Sequence, residues 1–300
     1  MKEWAMSAES HVRPSTTAAV LPEDSRVPRS QPDSGATAEY DRYFHILRTP
    51  PDLCAWTRSC LDLQEAVLAD LTHSPSLDDG QRADILTGLL HMSSATLTSW
   101  LRATPGPVPE HHEPFAGTRP RPGQAREEQG DALRRWKLGH QLFHVLLATM
   151  NTVLDETLAA AQDARWPSLV QGMERLRVLY DAATAAMAYA SDFPPAAYQD
   201  EIRPSMQPPF VGPGFSGVFN REHRAMTIRM HRLRRAVKDL PPETGPVDAI
   251  RHAALSLQAA QSRNHSSHVK ICERCVPSGT SLLRHHLAQS SPREEPLCDS

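Results

Sequence analysis

Long stretches of this chain carry apolar residues at the spacing of an α-helix, and proline-rich segments separate these stretches. The apolar residues recur every three or four positions, which places them on one face of each helix. The stretches run from Pro51 to Leu71, from Asp79 to Leu101, from Asp131 to about Ala164, from Pro167 to Ser191, from about Ser216 to Leu240 and from about Val247 to Cys275. No segment alternates apolar and polar residues as a β-strand does. The pattern predicts an all-α fold, a helical bundle.

The segments between the predicted helices set the domain boundaries. Residues 104–124 and 192–215 are dense in proline, which cannot continue a regular element, so we expect connections there. Residues 1–38 are rich in Ser, Pro, Ala and charge without periodicity, and are predicted to be a disordered tail. Residues 39–290 are expected to form one helical domain, followed by a flexible tail over residues 291–300.

Composition and charge argue against several classes of protein. A net charge of −3 with 15 histidines is not that of a nucleic-acid binder. No run of 18 apolar residues predicts a membrane span, and the N-terminus lacks a secretion signal pattern. Five cysteines in 300 residues indicate a reduced, cytoplasmic protein rather than a disulfide scaffold. Whether the chain forms a homo-oligomer stays open.

The last predicted helix carries a histidine and a cysteine that suit a covalently held haem. His268 and Cys272 are four residues apart, so they share one helical face at about 6 Å. An imidazole at this position can bind a haem iron, while the thiol one turn later reaches the edge of the porphyrin. The ordinary alternative is a helix whose His and Cys are simply half-buried.

Other metal and redox sites fit this segment less well. A zinc site would use His265, His268, Cys272 and Cys275, but these span about 15 Å of one helix and cannot surround a tetrahedral ion. A thioredoxin-like dithiol lacks a preceding strand. The usual haem attachment motif, Cys-x-x-Cys-His, is absent because Val276 follows Cys275.

Two upstream segments also carry candidate site residues. His140 and His144 lie on one helical face, as satisfied core histidines often do, although His140 above a haem would serve as an acid or base. No Glu-x-x-His pair accompanies them, as a di-iron site would require. Prolines, glycines and Phe215 suggest a stiff pocket wall before Arg221, which is either a carboxylate clamp or a solvated helix arginine.

These segments resemble the histidine-ligated haem-dependent aromatic oxygenases, the superfamily of tryptophan 2,3-dioxygenase and its tyrosine-hydroxylating relatives. His140-Gln141 with Leu154-Asp155-Glu156 is similar to the distal helix of that superfamily. Gly214-Phe215-Ser-Gly-Val-Phe-Asn-Arg221 resembles the stretch whose arginine binds the substrate carboxylate. His268 with Glu273-Arg274 resembles the proximal-histidine helix, and Ser278-Gly279-Thr280-Ser281 resembles the loop that holds the substrate ammonium. The similarity covers roughly residues 130–285.

Departures from the dioxygenase pattern point to a shorter branch. Only 47 positions separate Arg221 from His268, and the loop at Thr280 lacks the double glycine. The dioxygenase has no cysteine at the position of Cys272. These features resemble the actinobacterial haem-dependent L-tyrosine and 3-methyl-L-tyrosine hydroxylases, one type of which carries His-x(about 38)-His-x-x-x-Cys with a single thioether. For the first histidine of that pattern, His231 is the first choice, with 36 intervening residues, and His223 the second, with 44.

The resemblance implies a function and a role for each site residue. It implies a haem bound by His268 and His231 and tethered through Cys272, with His140 as the catalytic acid or base. Arg221, Phe215 and Thr280 would bind the substrate. The expected reaction hydroxylates the phenol ring of L-tyrosine or 3-methyl-L-tyrosine to a catechol in antibiotic biosynthesis, with dioxygen plus a reductant or hydrogen peroxide as oxidant. A tryptophan-directed oxygenase and a non-catalytic helical partner-binding protein remain the alternatives.

Overall fold

The computed structural model describes residues 34–46, 53–102, 130–240 and 246–276, together with Leu282 and His286. The chain divides into two compact units, Met1–Pro32 and Asp33–Ser300, and every described residue belongs to the second. All regular elements in the described ranges are helical, which confirms the predicted all-α class. None of the described helices has the length and apolar character needed to cross a membrane.

Seven helices of ten or more residues make up the described part of the chain. They are α1 (Ser34–Tyr43), α2 (Leu53–Leu71), α3 (Asp79–Arg102), α4 (Asp131–Gln162), α5 (Trp166–Ala190), α6 (Arg221–Lys238) and α7 (Val247–Cys275). Five of the six predicted helices begin and end within two residues of the predicted positions. The exception is α6, which begins at Arg221 because Gly217–Phe219 forms a 3-10 turn and Asn220 caps the helix. The side chain of Asn220 accepts a hydrogen bond from the His223 backbone N–H at 2.9 Å.

The helix α5 forms the centre of the bundle, packed against α3, α4 and α7. Small residues let the neighbouring helices approach it closely. A Cβ atom on Gly88 of α3 would lie 2.7 Å from the Cβ atom of Ala182. A Cβ atom on Gly139 of α4 would lie 2.6 Å from the Cα atom of Ala190. Such distances leave no room for a side chain, so these glycines fix how α3 and α4 sit on α5.

A buried ion-pair network joins one end of the bundle together. The Asp70 carboxylate at the end of α2 accepts hydrogen bonds from Arg134, from Arg135 Nε at 2.8 Å and from the Tyr189 hydroxyl at 2.8 Å. Arg135 also donates to the backbone carbonyls of Asp192 and His73. Burial alone would raise the pKa of Asp70, but the hydrogen bonds from Arg135, Tyr189 and Arg134 outweigh it and lower that pKa.

A second, aromatic-rich core lies beside the bundle and is built largely from α1. Tyr40, Tyr43 and Phe44 pack with Phe215 and with apolar residues of the proline-rich segment. The helix begins at Ser34, so residues 34–38 are helical and not part of the predicted disordered tail. The rest of that tail, and the predicted tail over residues 291–300, lie outside the described residues.

The proline-rich segment after α5 is more regular than its composition predicts. Short helical pieces follow one another at Pro195–Ala197, Tyr198–Ile202 and Arg203–Ser205, the middle one a π-helical turn. Pro195 and Pro204 stand in the first turns of helical pieces, where proline loses no backbone hydrogen bond. Buried Tyr198, Ile202 and Phe215 hold the segment against α1.

We expect Asp70→Asn to lower the free energy of unfolding by about 3 kcal/mol, because it leaves the buried Arg135 guanidinium without its counter-charge. Chemical denaturation at pH 7 would measure the loss, and Asp62→Asn, on the exposed face of α2, is the matched control.

The difference between Asp70→Asn and the wild type should shrink in acid. The folded protein lowers the pKa of Asp70, so the stabilisation is complete above the unfolded carboxyl pKa of about 4 and is lost as the pH falls through the folded-state pKa. A difference that stayed constant into strong acid would contradict this role.

Candidate active site

The last turns of α7 carry the predicted histidine and cysteine together. The Sγ atom of Cys272 lies 3.6 Å from the Nε2 atom of His268. His268 is exposed and Cys272 is half-buried, so the pair lies at the rim of the bundle rather than inside it. A four-residue spacing on a continuous helix produces this contact, as the sequence predicted.

Electrostatics keep both members of this pair neutral. Burial, followed by the charges of Cys275 and Glu273, raises the pKa of the Cys272 thiol. Burial and the neighbouring His265 lower the pKa of His268. A neutral imidazole is the form that binds iron, and a protonated thiol is not the reactive thiolate of a redox dithiol or a nucleophilic enzyme.

His140 occupies a largely buried position between two aromatic rings. Its ring stacks on Phe44 at 4.2 Å between centroids, with 8° between the planes, and lies 4.1 Å from Trp136. The Nδ1 atom lies 2.7 Å from the carbonyl oxygen of Trp136, which only accepts hydrogen bonds, so Nδ1 carries the proton. The Nε2 atom of the neutral ring is therefore left with its lone pair.

The surroundings of His140 hold its ring in this neutral form. Burial lowers the pKa of His140 to about 4, against the weaker opposing effect of the Trp136 carbonyl. The charge of His268 lowers it further, which shows that α4 and α7 bring the two histidines into one electrostatic environment.

The aromatic core stands directly behind His140. Gln141 donates from Nε2 to the carbonyl oxygen of Phe44 at 2.9 Å, which holds α1 against α4. Phe215, predicted as a substrate-binding wall, is 4% exposed and contacts the rings of Tyr40, Tyr43 and Phe44. It therefore supports Phe44 from behind, while Phe44 makes the ring contact with His140.

The two candidates for the second haem histidine lie on α6. The charge of His268 contributes to lowering the pKa of His223, after the larger effect of burial, so His223 and His268 are close together. His231 is exposed and lies eight residues later, about 12 Å further along the helix axis. The geometry thus favours His223, the second choice from sequence spacing, as the partner of His268.

The remaining predicted residues are distributed as follows. Arg221 is the first residue of α6, and its side chain is exposed. Thr280 lies outside the described residues. His144 is buried one turn after His140, and its Nδ1 atom lies 3.4 Å from a carboxylate oxygen of Glu222. That contact gives His144 a structural partner between α4 and α6.

These residues suit a haem better than a metal ion bound by side chains alone. Within the described ranges, no three or more His, Cys, Asp and Glu side chains converge as a protein-only metal site requires. A haem iron needs only one or two protein ligands, because the porphyrin supplies four. His268 and His223 provide such ligands, and the Cys272 sulfur lies one turn from His268 for attachment to the porphyrin edge.

Comparison with known proteins establishes the family. The model of a family described as SfmD 3-methyl-L-tyrosine peroxygenase matches residues 2–247 of the chain. The chain belongs to the SfmD 3-methyl-L-tyrosine peroxygenase family. This assignment confirms the resemblance drawn from the three sequence segments.

A member of the SfmD family from Streptomyces lavendulae, named 3-methyl-L-tyrosine peroxygenase, is similar to this chain. The two are 30% identical over 187 residues, which is 61% of this chain and 48% of the relative, so the chain spans about half the relative's length. No solved structure matches the chain. The SfmD family match includes His140, Arg221 and His223 but ends at residue 247, where α7 begins. His268 and Cys272 are therefore supported by their spacing and geometry.

Sequence reasoning did not identify Phe44 and Trp136 as neighbours of His140. Trp136 precedes His140 by one turn on the same face, which the helical spacing alone could have shown. Phe44 belongs to the triplet Tyr40, Tyr43 and Phe44, which has helical spacing but follows a polar segment. The triplet is too short to outweigh its surroundings in a periodicity argument.

We expect His140→Gln to reduce the loss of stability between about pH 6.5 and pH 4. The folded-state pKa of His140, about 4, lies below that of the unfolded chain, so in this interval the unfolded state binds a proton that the folded state does not. Stability then falls by up to about 1.4 kcal/mol per pH unit through this residue.

The pH dependence of urea unfolding would measure this effect. His252→Gln, at an exposed position of α7, serves as the matched control. An identical pH slope in wild type and His140→Gln would show that His140 is not buried as a neutral ring.

Proposed function

We propose that this protein is a haem-dependent oxidoreductase that hydroxylates the phenol ring of L-tyrosine or 3-methyl-L-tyrosine, giving a catechol. Support comes from the SfmD family match and from the relative named as a 3-methyl-L-tyrosine peroxygenase. The observation that carries the proposal is the meeting of His140, His223 and the His268–Cys272 pair at one end of the bundle.

In this proposal His268 is the proximal ligand of the haem and Cys272 its covalent attachment through one thioether. His223 is the second axial histidine in the resting protein, in preference to His231, because it lies near His268. Haem supplies oxygen-transfer chemistry that no amino-acid side chain possesses. An imidazole ligand donates less electron density than a thiolate, so proton transfer by neighbouring groups matters more here.

His140 serves as a general base in the proposed reaction. Its pKa of about 4 keeps Nε2 unprotonated at neutral pH, ready to accept a proton from the O–H group of the oxidant or of the substrate phenol. The hydrogen bond from Nδ1 to Trp136 fixes the ring orientation and the tautomer. Phe44 and Trp136 exclude water from the ring, so the accepted proton is readily returned.

We expect haem to stay with the wild-type protein during acid–acetone extraction and to be released from Cys272→Ser. The reason is that only the sulfur of Cys272 lies beside His268 to form a bond that survives unfolding. Purified, haem-loaded protein should show a Soret band, and the extracted phases would be compared by absorbance. Cys275→Ser is the control, since Cys275 is buried in the aromatic core. Free release of haem from the wild type would contradict the thioether.

The substrate class is tested by offering L-tyrosine, 3-methyl-L-tyrosine and L-tryptophan to the haem-loaded protein. Each would be supplied with hydrogen peroxide and, separately, with dioxygen plus ascorbate, and products would be identified by mass spectrometry. We expect a mass increase of one oxygen atom for the phenols and a loss of rate of about 100-fold or more in His140→Gln. Oxidation of tryptophan alone would instead establish a tryptophan-directed oxygenase.

A further inference from the structure

A cavity of about 170 Å³ lies between α6 and α7 and reaches the candidate active site. Residues of α6 form one side, residues of α7 the other, and Tyr180 of α5 contributes to the floor. The lining residues are Tyr180, His223, Met226, Thr227, Met230, His231, Arg234, Gln261 and Asn264. His223, which is close to His268, belongs to this lining, so one end of the cavity opens beside the proposed haem ligands.

The other end of the cavity carries an arginine that no carboxylate neutralises. Arg234 donates from Nη2 to Oε1 of Gln261 at 2.9 Å, and Gln261 donates from Nε2 to the Tyr180 hydroxyl at 3.0 Å. Burial raises the pKa of Tyr180, so that hydroxyl is neutral. The positive charge of Arg234 is therefore held in place by neutral groups, and its guanidinium keeps further donors for an anion.

The middle of the cavity suits an aromatic ring. Met226 and Met230 are buried on the α6 side, and thioethers make favourable contacts with ring edges. A cavity of roughly 150 Å³ holds a benzene molecule, so this space accommodates one phenol ring but not a porphyrin. Asn264 donates from Nδ2 to Thr184 Oγ1 at 3.0 Å, which leaves its Oδ1 atom to accept a hydrogen bond.

The length of the cavity matches one aromatic amino acid. Gln261, the partner of Arg234, and His268 are seven residues apart on α7, about 10.5 Å along the helix axis. This is close to the length of an extended tyrosine molecule from its carboxylate to its phenol oxygen. A carboxylate at Arg234 therefore places the far end of the ring beside His223 and His268.

We propose that this cavity binds the substrate as a free aromatic α-amino acid, with the Arg234 guanidinium paired with the α-carboxylate. Asn264 Oδ1 accepts a hydrogen bond from the ammonium, and the ring lies along Met226 and Met230. The inference rests on the proposed function for the identity of the ring, and it assigns the carboxylate to Arg234 instead of Arg221. Arg221 is exposed at the start of α6 and does not line the cavity.

The experiment is isothermal titration of the full chain with L-tyrosine and with tyramine, which lacks the carboxylate. We expect Arg234→Ala to weaken L-tyrosine binding about 10- to 100-fold, the effect of losing one charge-assisted contact, and to leave tyramine binding unchanged. Arg234→Lys should bind L-tyrosine with intermediate affinity, because it retains charge without the bidentate fork. Arg235→Ala, the adjacent exposed arginine, is the matched control and should match wild type.

Several results would overturn the inference. They are undetectable L-tyrosine binding by the wild type, equal affinity in Arg234→Ala and wild type, an equal loss for tyramine, and a loss in Arg221→Ala alone. Thermal unfolding of each variant controls for folding, since Arg234 is exposed and its removal should not change the melting temperature. The titration needs no turnover, so a failure here is separate from a failure to bind haem or to hydroxylate a phenol.

Discussion

The contact between Gly139 and Ala190 determines how the site end of the bundle is arranged. A glycine on α4 meets the backbone of α5 where no side chain fits, so the two helices touch at that level. His140 is the next residue, and its ring is consequently directed to the adjacent face, where α1 and α7 approach. One turn earlier, Arg135 enters the buried network of Asp70 on the opposite side. Close helix packing and the orientation of the catalytic base thus have one cause.

The helices of the bundle could be predicted from the sequence because long apolar periodicity is a strong signal. Four of the predicted site residues, His140, Arg221, His268 and Cys272, were found from motif order and spacing, and the structure brings His140 near His268. The choice between His231 and His223 needed the structure. Linear spacing does not record which turn of α6 lies opposite the end of α7, and that depends on the crossing of two helices.

The arginines of α6 show the same limit. This helix contains six arginines, and the sequence motif singled out Arg221 because it follows a recognisable glycine–phenylalanine turn. Selecting Arg234 requires knowing that Gln261 lies across from it and that a space remains between the two helices. Contacts between residues distant in sequence decide which of several identical side chains has a ligand to bind.

The aromatic support of the site comes from a helix that is joined to the bundle by only a few polar contacts. Glu39 accepts from the backbone of Gly212, the Tyr43 hydroxyl bonds to Ser205, and the carbonyl of Phe44 accepts from Gln141. None of these reaches the buried centre around α5. Local unfolding of α1 can therefore occur at a lower free energy than melting of the bundle. Loss of the site would then precede loss of helical content, and a truncated chain could fold well and still be inactive.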